Sequence, residues 1–480
     1  MPGAIAILTI LTFGGWSSLI IGWVAGLLTT PAIPVTSPQT MARRGIIPGL
    51  VLGSGIFLAS FIEGLVIRPS SGQSPVGLGN LFIYGLGGLG TAVLATAIKA
   101  AIPGLPNPRL ANLVTLGFSL MVFPFVDQVA QTGWIGTTVQ IMIFTILALG
   151  LNITVGFAGL LDLGYAAFFA IGAYTTGLLA SGHLNLNWDF WVALPLAACV
   201  AAIAGVILGT PTLRLRGDYL AIVTLGFGEI IPVVFRNLTA VKINEPISQI
   251  IATFTNNPRL TICLLGCDRP LNLTGGEAGI NPIGRPTLPI IGTFSPSNYT
   301  PWYFLVLGLV VFSYFAITRL QNSRLGRAWE AIREDELAAS AMGVNLVQTK
   351  LAAFAMGAAF SGFAGAFYAA YISAIFPTVF DFSVSVIILC MVILGGLGNM
   401  TGVVFGSVII MAADRLYLPQ IAQILKGFLN TTVFPSVPNA AIREFLATSI
   451  DPLQMRLLLF GLTLVIMMIV RPEGIIRHKE

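Results

Sequence analysis

The sequence predicts an all-α polytopic integral membrane protein with about 13 transmembrane helices. Three observations carry that prediction. Of 480 residues, 56% are hydrophobic and 9% charged, whereas a soluble domain carries roughly 25% charged residues. Mean hydropathy is +0.89. The apolar residues gather in runs of about 20, the length a helix needs to cross the hydrocarbon core, and the runs lack the strict alternation of barrel strands. Backbone groups inside lipid must be satisfied within the protein, so such runs fold as helices.

In chain order the spans fall near 4–28, 46–67, 78–99, 110–126, 134–153, 158–180, 190–211, 219–236, 302–319, 351–373, 383–398, 402–418 and 455–471. Glycine interrupts the fifth to seventh and the eleventh and twelfth. No Lys or Arg precedes Arg43. A secretory signal opens on a basic segment, so the first run reads as a retained span. Residues 1–105 form an extension of about three spans, set off by the Pro-rich stretch Ala101–Pro108. Residues 106–480 form the core, with an outer loop at 237–301 and an inner, charged loop at 320–350. Residues 419–453 form a second outer segment.

Lys and Arg in the short loops set the orientation. With the N-terminus outside, fourteen of the 24 basic residues lie inside, Arg214, Arg333 and Arg477 among them. Four of the other ten (Lys242, Arg259, Arg269 and Arg285) sit in the long loop 237–301, where the rule has little force. The C-terminus is then cytoplasmic, in a bacterial inner membrane. The net charge of +5 meets inner-leaflet lipid rather than nucleic acid. Cys199 and Cys390 fall in spans and read as core thiols. Cys263 and Cys267 share the outer loop, as a disulfide or as two free thiols.

Several chemistries have no support. No Gly-Lys pair occurs, so a P-loop and its phosphate nest are absent. Only His183 and His478 are available, too few for a multi-His metal site, although a carboxylate or Cys site stays open. No Gly-x-Ser-x-Gly elbow appears. The chain is therefore not expected to be an enzyme, and no cofactor, metal or catalytic residue is expected.

Five segments carry signal. Leu149–Gly177 contains Gly156, Gly159 and Gly164, with Asp162 as its only charge. Its glycines permit either close helix packing or a broken helix lining a cavity. An acid in a span is expected to be functional, which singles out Asp162 with Tyr165 and Asn152. Leu213–Ile230 places Thr224 and Glu229 in the next span. Glu229 either lines a path or pairs with a neighbour such as Arg236. Val392–Gly406 holds Gly395, Gly396 and Gly398, a hinge or a tight inner turn. Val470–Gly474 (Val-Arg-Pro-Glu-Gly) is a terminal anchor.

The remaining segment is a charged island, Ser323–Gly343, between almost uncharged stretches; from Leu351 to Ala413 the only charge is Asp381. Arg327, Glu330 and Arg333 share one helical face at i,i+3 spacing, and Gly343 can stop the helix in the left-handed conformation. Leu337, Ala338, Ala339 and Gly343 have the spacing of the E-A-A-x-x-x-G loop of ABC importer permeases, with Leu337 in place of the acid and Glu336 just before it. Small Ala side chains let such a helix seat deeply in a partner's groove.

Together the segments Leu149–Tyr174, Leu213–Ile230, Thr274–Ile280, Ser323–Tyr368, Ile393–Gly402 and Arg471–Gly474 resemble the LivM-type permease subunit of branched-chain or neutral amino-acid ABC importers. The resemblance covers most of 110–475. It implies an ABC importer permease fold and a neutral, branched-chain amino acid as substrate. The implied partners are a LivH-type second permease, two cytoplasmic ATPase subunits and a soluble or lipid-anchored binding protein. It also implies a coupling role for Arg327, Glu330, Glu336, Ala338, Ala339 and Gly343. A related urea and amide branch shares the fold, but Leu161–Tyr165 looks closer to the amino-acid branch. No motif matches in 1–105, and the outer segments 237–273 and 419–453 are longer than the family needs. An ion-coupled secondary transporter would also use Gly-broken spans and buried acids, but would leave the charged island unexplained. A structural assembly factor would leave the acids unexplained.

Overall fold

Short polar residues start most of the helices, because the first N–H groups of a helix need acceptors. Asn298 Oδ1 accepts from Thr300 N at 3.2 Å, Asn345 Oδ1 from Gln348 N at 3.2 Å, and Asn399 Oδ1 from Gly402 N at 3.1 Å. The computed structural model describes residues 133–183, 186–212, 218–239, 272–288, 292–419 and 456–470, with Leu120, Met121, Phe123–Phe125, Asp127, Ala422 and Gly474. The extension 1–105, its three spans, nearly all of span 110–126, Cys263 and Cys267, and the segments 240–271 and 423–455 lie outside the described residues.

The elements in order are α1 (Trp134–Leu151), continued by a π-helical turn (Asn152–Phe157), α2 (Tyr165–Ala180), α3 (Phe190–Thr212) and α4 (Asp218–Asn237). A small hairpin follows, β1 (Thr287–Leu288) antiparallel to β2 (Gly292–Thr293). Then come α5 (Tyr299–Gln321), α6 (Arg324–Glu334), α7 (Glu336–Ala341), α8 (Leu346–Ile372), α9 (Phe382–Gly395), α10 (Met400–Ala412) and α11 (Arg456–Val470). Apart from the short α6 and α7, these helices follow the expected spans from 134 onward, in order. Six are long and apolar enough to cross a membrane by length and composition: α1 with its π turn, α3, α4, α5, α8, and α9 with the turn before it.

Two compact units divide the chain, 1–135 with 415–455 and 136–414 with 456–480. The functional geometry lies within the second. Its helices alternate in direction. Tyr371 at the end of α8 donates to Gly136 O at the start of α1 (3.2 Å), and Ile280 bridges Ile375. At the opposite end, Arg333 in the last turn of α6 donates to Gly156 O at the end of α1. Residues 156–164, α6, α7 and the Gly395–Asn399 turn therefore mark one end, and residues 272–288 mark the other. Arg333 and Arg285 stand at opposite ends.

α1 is the most buried span, and α3 packs closely on α8 beside α2. Lipid tails are as apolar as the core, so these helices gain by close contact rather than by leaving water. A Cβ on Gly362 of α8 would stand 2.8 Å from Ala197 O of α3, so only glycine allows this approach. An aromatic cluster packs along the first half and middle of α2. Phe169 meets Phe380 at 5.1 Å between centroids, and Tyr174 meets Phe235 of α4 at 4.1 Å.

Four expectations need correction. The sixth span starts at Tyr165 and not at 158, so Asp162 lies in the loop before α2 and is not an acid within a span. α2 and α3 are not broken by glycine; α3 runs unbroken through Pro195 and Pro211. Cys199 is exposed on α3 rather than in the core, whereas Cys390 is buried. The charged island is two helices, because Asp335 turns extended and its carboxylate caps Leu337 N (2.8 Å) and Ala338 N (3.1 Å).

Candidate functional site

α6 is held from below by two large apolar residues. Trp329 is fully buried and donates Nε1–H to Thr349 O at 2.8 Å, and Ile332 is 3% exposed. Ser323 caps Gly326 N at 3.3 Å. Arg327 and Glu330 point outward and are exposed. Arg333 does not close the expected i,i+3 pair with Glu330. Its Nη1 instead donates to Gly156 O at 2.6 Å.

α7 presents two faces. Leu337 is 70% and Met342 85% exposed, and Ala338 is exposed beside them. Ala339 is only 4% exposed. It faces the chain's own interior, so it cannot be the small residue that admits a partner. Glu336 is held within the chain, with its side chain still 30% exposed. It accepts from Lys350 Nζ at 2.6 Å, and Lys350 is 6% exposed at the start of α8. Gly343 follows with φ +87°, the left-handed conformation that ends the element.

Below α6 lies the end of α1. Asn152 is fully buried in the π-helical turn, where its Oδ1 accepts from Gly398 N at 3.0 Å and its Nδ2 reaches Met400 Sδ at 3.6 Å. Thus Asn152, Gly156 and Gly398 meet, joining the two glycine-rich segments. Gly395 packs against Gly402 and Gly406, and Gly396 takes φ +107° to turn α9 into α10.

Two remote side chains and one local side chain start α2. Leu163 N donates to Thr224 Oγ1 (3.1 Å), Gly164 N to Asp162 Oδ1 (3.0 Å), and Ala166 N to Ser385 Oγ (2.9 Å). Asp162 is 1% exposed, and its Oδ2 has no hydrogen-bond partner among the described residues. Burial pushes its carboxyl up to about 7, against the lowering effect of the Gly164 N–H. Tyr165 is fully buried and donates to Gly357 O at 3.1 Å. Glu229, midway along α4, is exposed, and Gly226 one turn earlier has open space before it.

Residues 134–468 match the family described as the branched-chain amino acid transport system permease component. This chain belongs to that family. It is 41% identical over 321 residues to the high-affinity branched-chain amino acid transport system permease protein LivM of Salmonella typhimurium, covering 66% of this chain and 71% of that one. It is 40% identical, with the same coverage, to the LivM protein of Escherichia coli. A probable LivM of Methanocaldococcus jannaschii is 26% identical over 70% of this chain and 91% of its own length. No solved structure matches.

Within this permease, the expected site residues separate into four places. Arg327, Glu330, Glu336, Ala338, Ala339 and Gly343 lie on α6, on α7 and just after it. Asn152, Gly156, Gly159, Gly398 and Arg333 come together under α6. Asp162, Gly164, Tyr165 and Thr224 build the start of α2. Glu229 stands apart on the outer face of α4. Sequence reasoning missed Asp335, Lys350 and the inward turn of Arg333. Asp335 had a readable signal, a capping residue before Glu-Leu-Ala-Ala. The contacts of Lys350 and Arg333 span 14 and 177 residues and had none.

Proposed function

We propose that the chain is a permease subunit of an ATP-driven importer that carries branched-chain or other neutral amino acids across a bacterial inner membrane. ATP hydrolysis resides on two separate cytoplasmic subunits. A LivH-type second permease completes the pore, and a soluble or lipid-anchored protein delivers substrate. The N-terminus lies outside, and the end carrying α6 and α7 faces the cytoplasm.

The observation that carries this reading is the α6–α7 element. It is too charged for lipid, it is fixed rigidly by Trp329 and the Lys350–Glu336 pair, and it presents Leu337 and Met342 to water. A rigid element with an apolar tip suits a groove on a partner, and force can reach the bundle only through such an element in a chain without a P-loop. Arg327, Glu330 and Ala338 form the rim of that contact, while Glu336, Ala339 and Gly343 hold its shape. The outer face of α4 suits the path or the second permease. An exposed carboxylate halfway along a span is costly against lipid, so Glu229 belongs beside water, substrate or protein. Asn152, Asp162, Tyr165 and Thr224 support the path from behind.

Co-expression with the ATPase and second-permease subunits tests the reading. The double variant Leu337→Glu, Met342→Glu is expected to retain the second permease and to lose at least nine-tenths of the co-purifying ATPase. Unchanged ATPase recovery would place the docking site elsewhere.

A further inference from the structure

Arg333 occupies a position that docking alone does not require. It lies in the last turn of α6, yet its guanidinium turns away from the outer face and into the bundle. Nη1 donates to Gly156 O at 2.6 Å. That carbonyl belongs to the C-terminal end of a helix, where unpaired C=O groups and the helix dipole favour a cation.

The surroundings are shaped to receive the side chain. Gly159, with φ +68°, lies against the stem, and a Cβ there would stand 3.0 Å from Arg333 Cγ. Gly398, with φ +83°, lies against the guanidinium, and a Cβ there would stand 3.0 Å from Nη1. Gly398 is itself tied to the π-helical turn through Asn152 Oδ1 at 3.0 Å. One side chain from α6 therefore sits in a cradle of three glycines, contributed by the end of α1 and by the α9–α10 turn. The residue as a whole is exposed, so the cradle lies at the rim, within reach of whatever moves α6.

Trp329 secures α6 to α8 through Thr349 O. Arg333 is the described contact by which α6 grips the other two segments. The π-helical turn is the irregular part of α1, and π turns inside helices often mark functional positions.

We propose that Arg333 is the positioning residue that couples α6 to the transport path, carrying displacement of α6 to the π-helical turn of α1 and to the α9–α10 turn together. This rests on the reading of α6–α7 as the ATPase contact. Planar guanidinium geometry suits the task, because it can hold a carbonyl while its flat face rests on glycine backbone. A lysine ammonium would keep the charge but not the shape.

The test is a reconstituted importer in proteoliposomes, with ATPase subunits, second permease and binding protein present. ATPase association, ATP hydrolysis and leucine uptake are measured on the same preparation. Arg333→Met is expected to keep ATPase association and hydrolysis and to lower uptake per ATP hydrolysed at least tenfold. Arg333→Lys is expected to lower it at least threefold. Arg319→Met, which removes a charge at the same end outside the cradle, should leave the ratio unchanged. A purely structural role would change the amount of folded complex but not uptake per ATP.

Uptake per ATP within twofold of the unsubstituted importer in Arg333→Met would overturn the proposal. If that variant does not fold, Arg333→Lys decides by the same twofold limit. Loss of ATPase association in either variant would also overturn it, by assigning Arg333 to the docking surface. Failure of the unsubstituted chain to bind ATPase would instead refute the underlying reading of α6–α7.

Discussion

The Lys350–Glu336 pair offers the sharpest energetic test of how α7 is held. Lys350 is 6% exposed, its Nζ lies 2.6 Å from Glu336 Oε1, and the Glu336 side chain keeps 30% of its exposure. The two ends are therefore unequal. Glu336→Ala leaves a buried ammonium without its counter-charge. Breaking a buried pair in this way costs about 3–5 kcal/mol, and the partial access of water to the site argues for the lower end, about 3 kcal/mol. Lys350→Met leaves a carboxylate that can turn to water, so roughly 1 kcal/mol is expected, the scale of an exposed pair. The double variant should resemble Lys350→Met alone. Unfolding of the purified subunit by SDS in mixed micelles measures all three. The reasoning is refuted if Glu336→Ala costs no more than Lys350→Met, or if the coupling between the two sites is below about 0.5 kcal/mol. Uptake adds a second reading. If Glu336 serves only to hold α7, the double variant transports; if its carboxylate touches the ATPase, it does not.

Asn152→Ala should destabilise by about 1–3 kcal/mol, because the buried Gly398 N–H loses its acceptor; the same SDS titration measures it, and a cost under about 0.3 kcal/mol would separate the two glycine segments. Asp162 has its carboxyl raised to about 7 by burial. Its proton is therefore held in the folded state and lost from the unfolded chain above about pH 4, so stability should fall as pH rises from about 4 to 7. Asp162→Asn, which keeps the oxygen facing Gly164 N, should flatten that part of the profile; parallel melting curves for the two would count against it. Ala339→Trp should reduce folded protein rather than docking alone, because Ala339 is buried. Gly343→Val should cost about 1–3 kcal/mol in backbone strain, since nothing lies within 4 Å of a Cβ there to add a clash. With native thiols removed, a cysteine at 285 should label from outside intact cells and one at 333 should not; the reverse would invert the topology.

Apart from α6 and α7, the helices from 134 onward are legible because each is an apolar run, some opened by a polar cap such as Asn298 or Asn399. The start of α2 is not. Leu160–Gly164 is apolar enough to extend a span, and what stops it is hydrogen bonding from Thr224 and Ser385, which lie 61 and 219 residues away from the groups they accept. The left-handed stop at Gly343 could be read from a single residue type after an Ala-rich run. The burial of Ala339 could not, because on so short a helix the small residues give no periodic signal. Spacing alone puts Arg333 on the charged face, but the carbonyl of Gly156, 177 residues away, draws it across. Local rules located the elements, and remote polar atoms decided where the candidate site closes.

The exposed tip of α7 also bears on the life of the subunit before assembly. A chain inserted without its partners carries Leu337 and Met342 bare to the aqueous phase, 70% and 85% uncovered. Exposed apolar groups of this kind are features by which quality-control proteases recognise orphans, so an excess of this subunit should turn over faster than the assembled form. The same two side chains that would seat in a groove would then also keep the copy number matched to that of the groove.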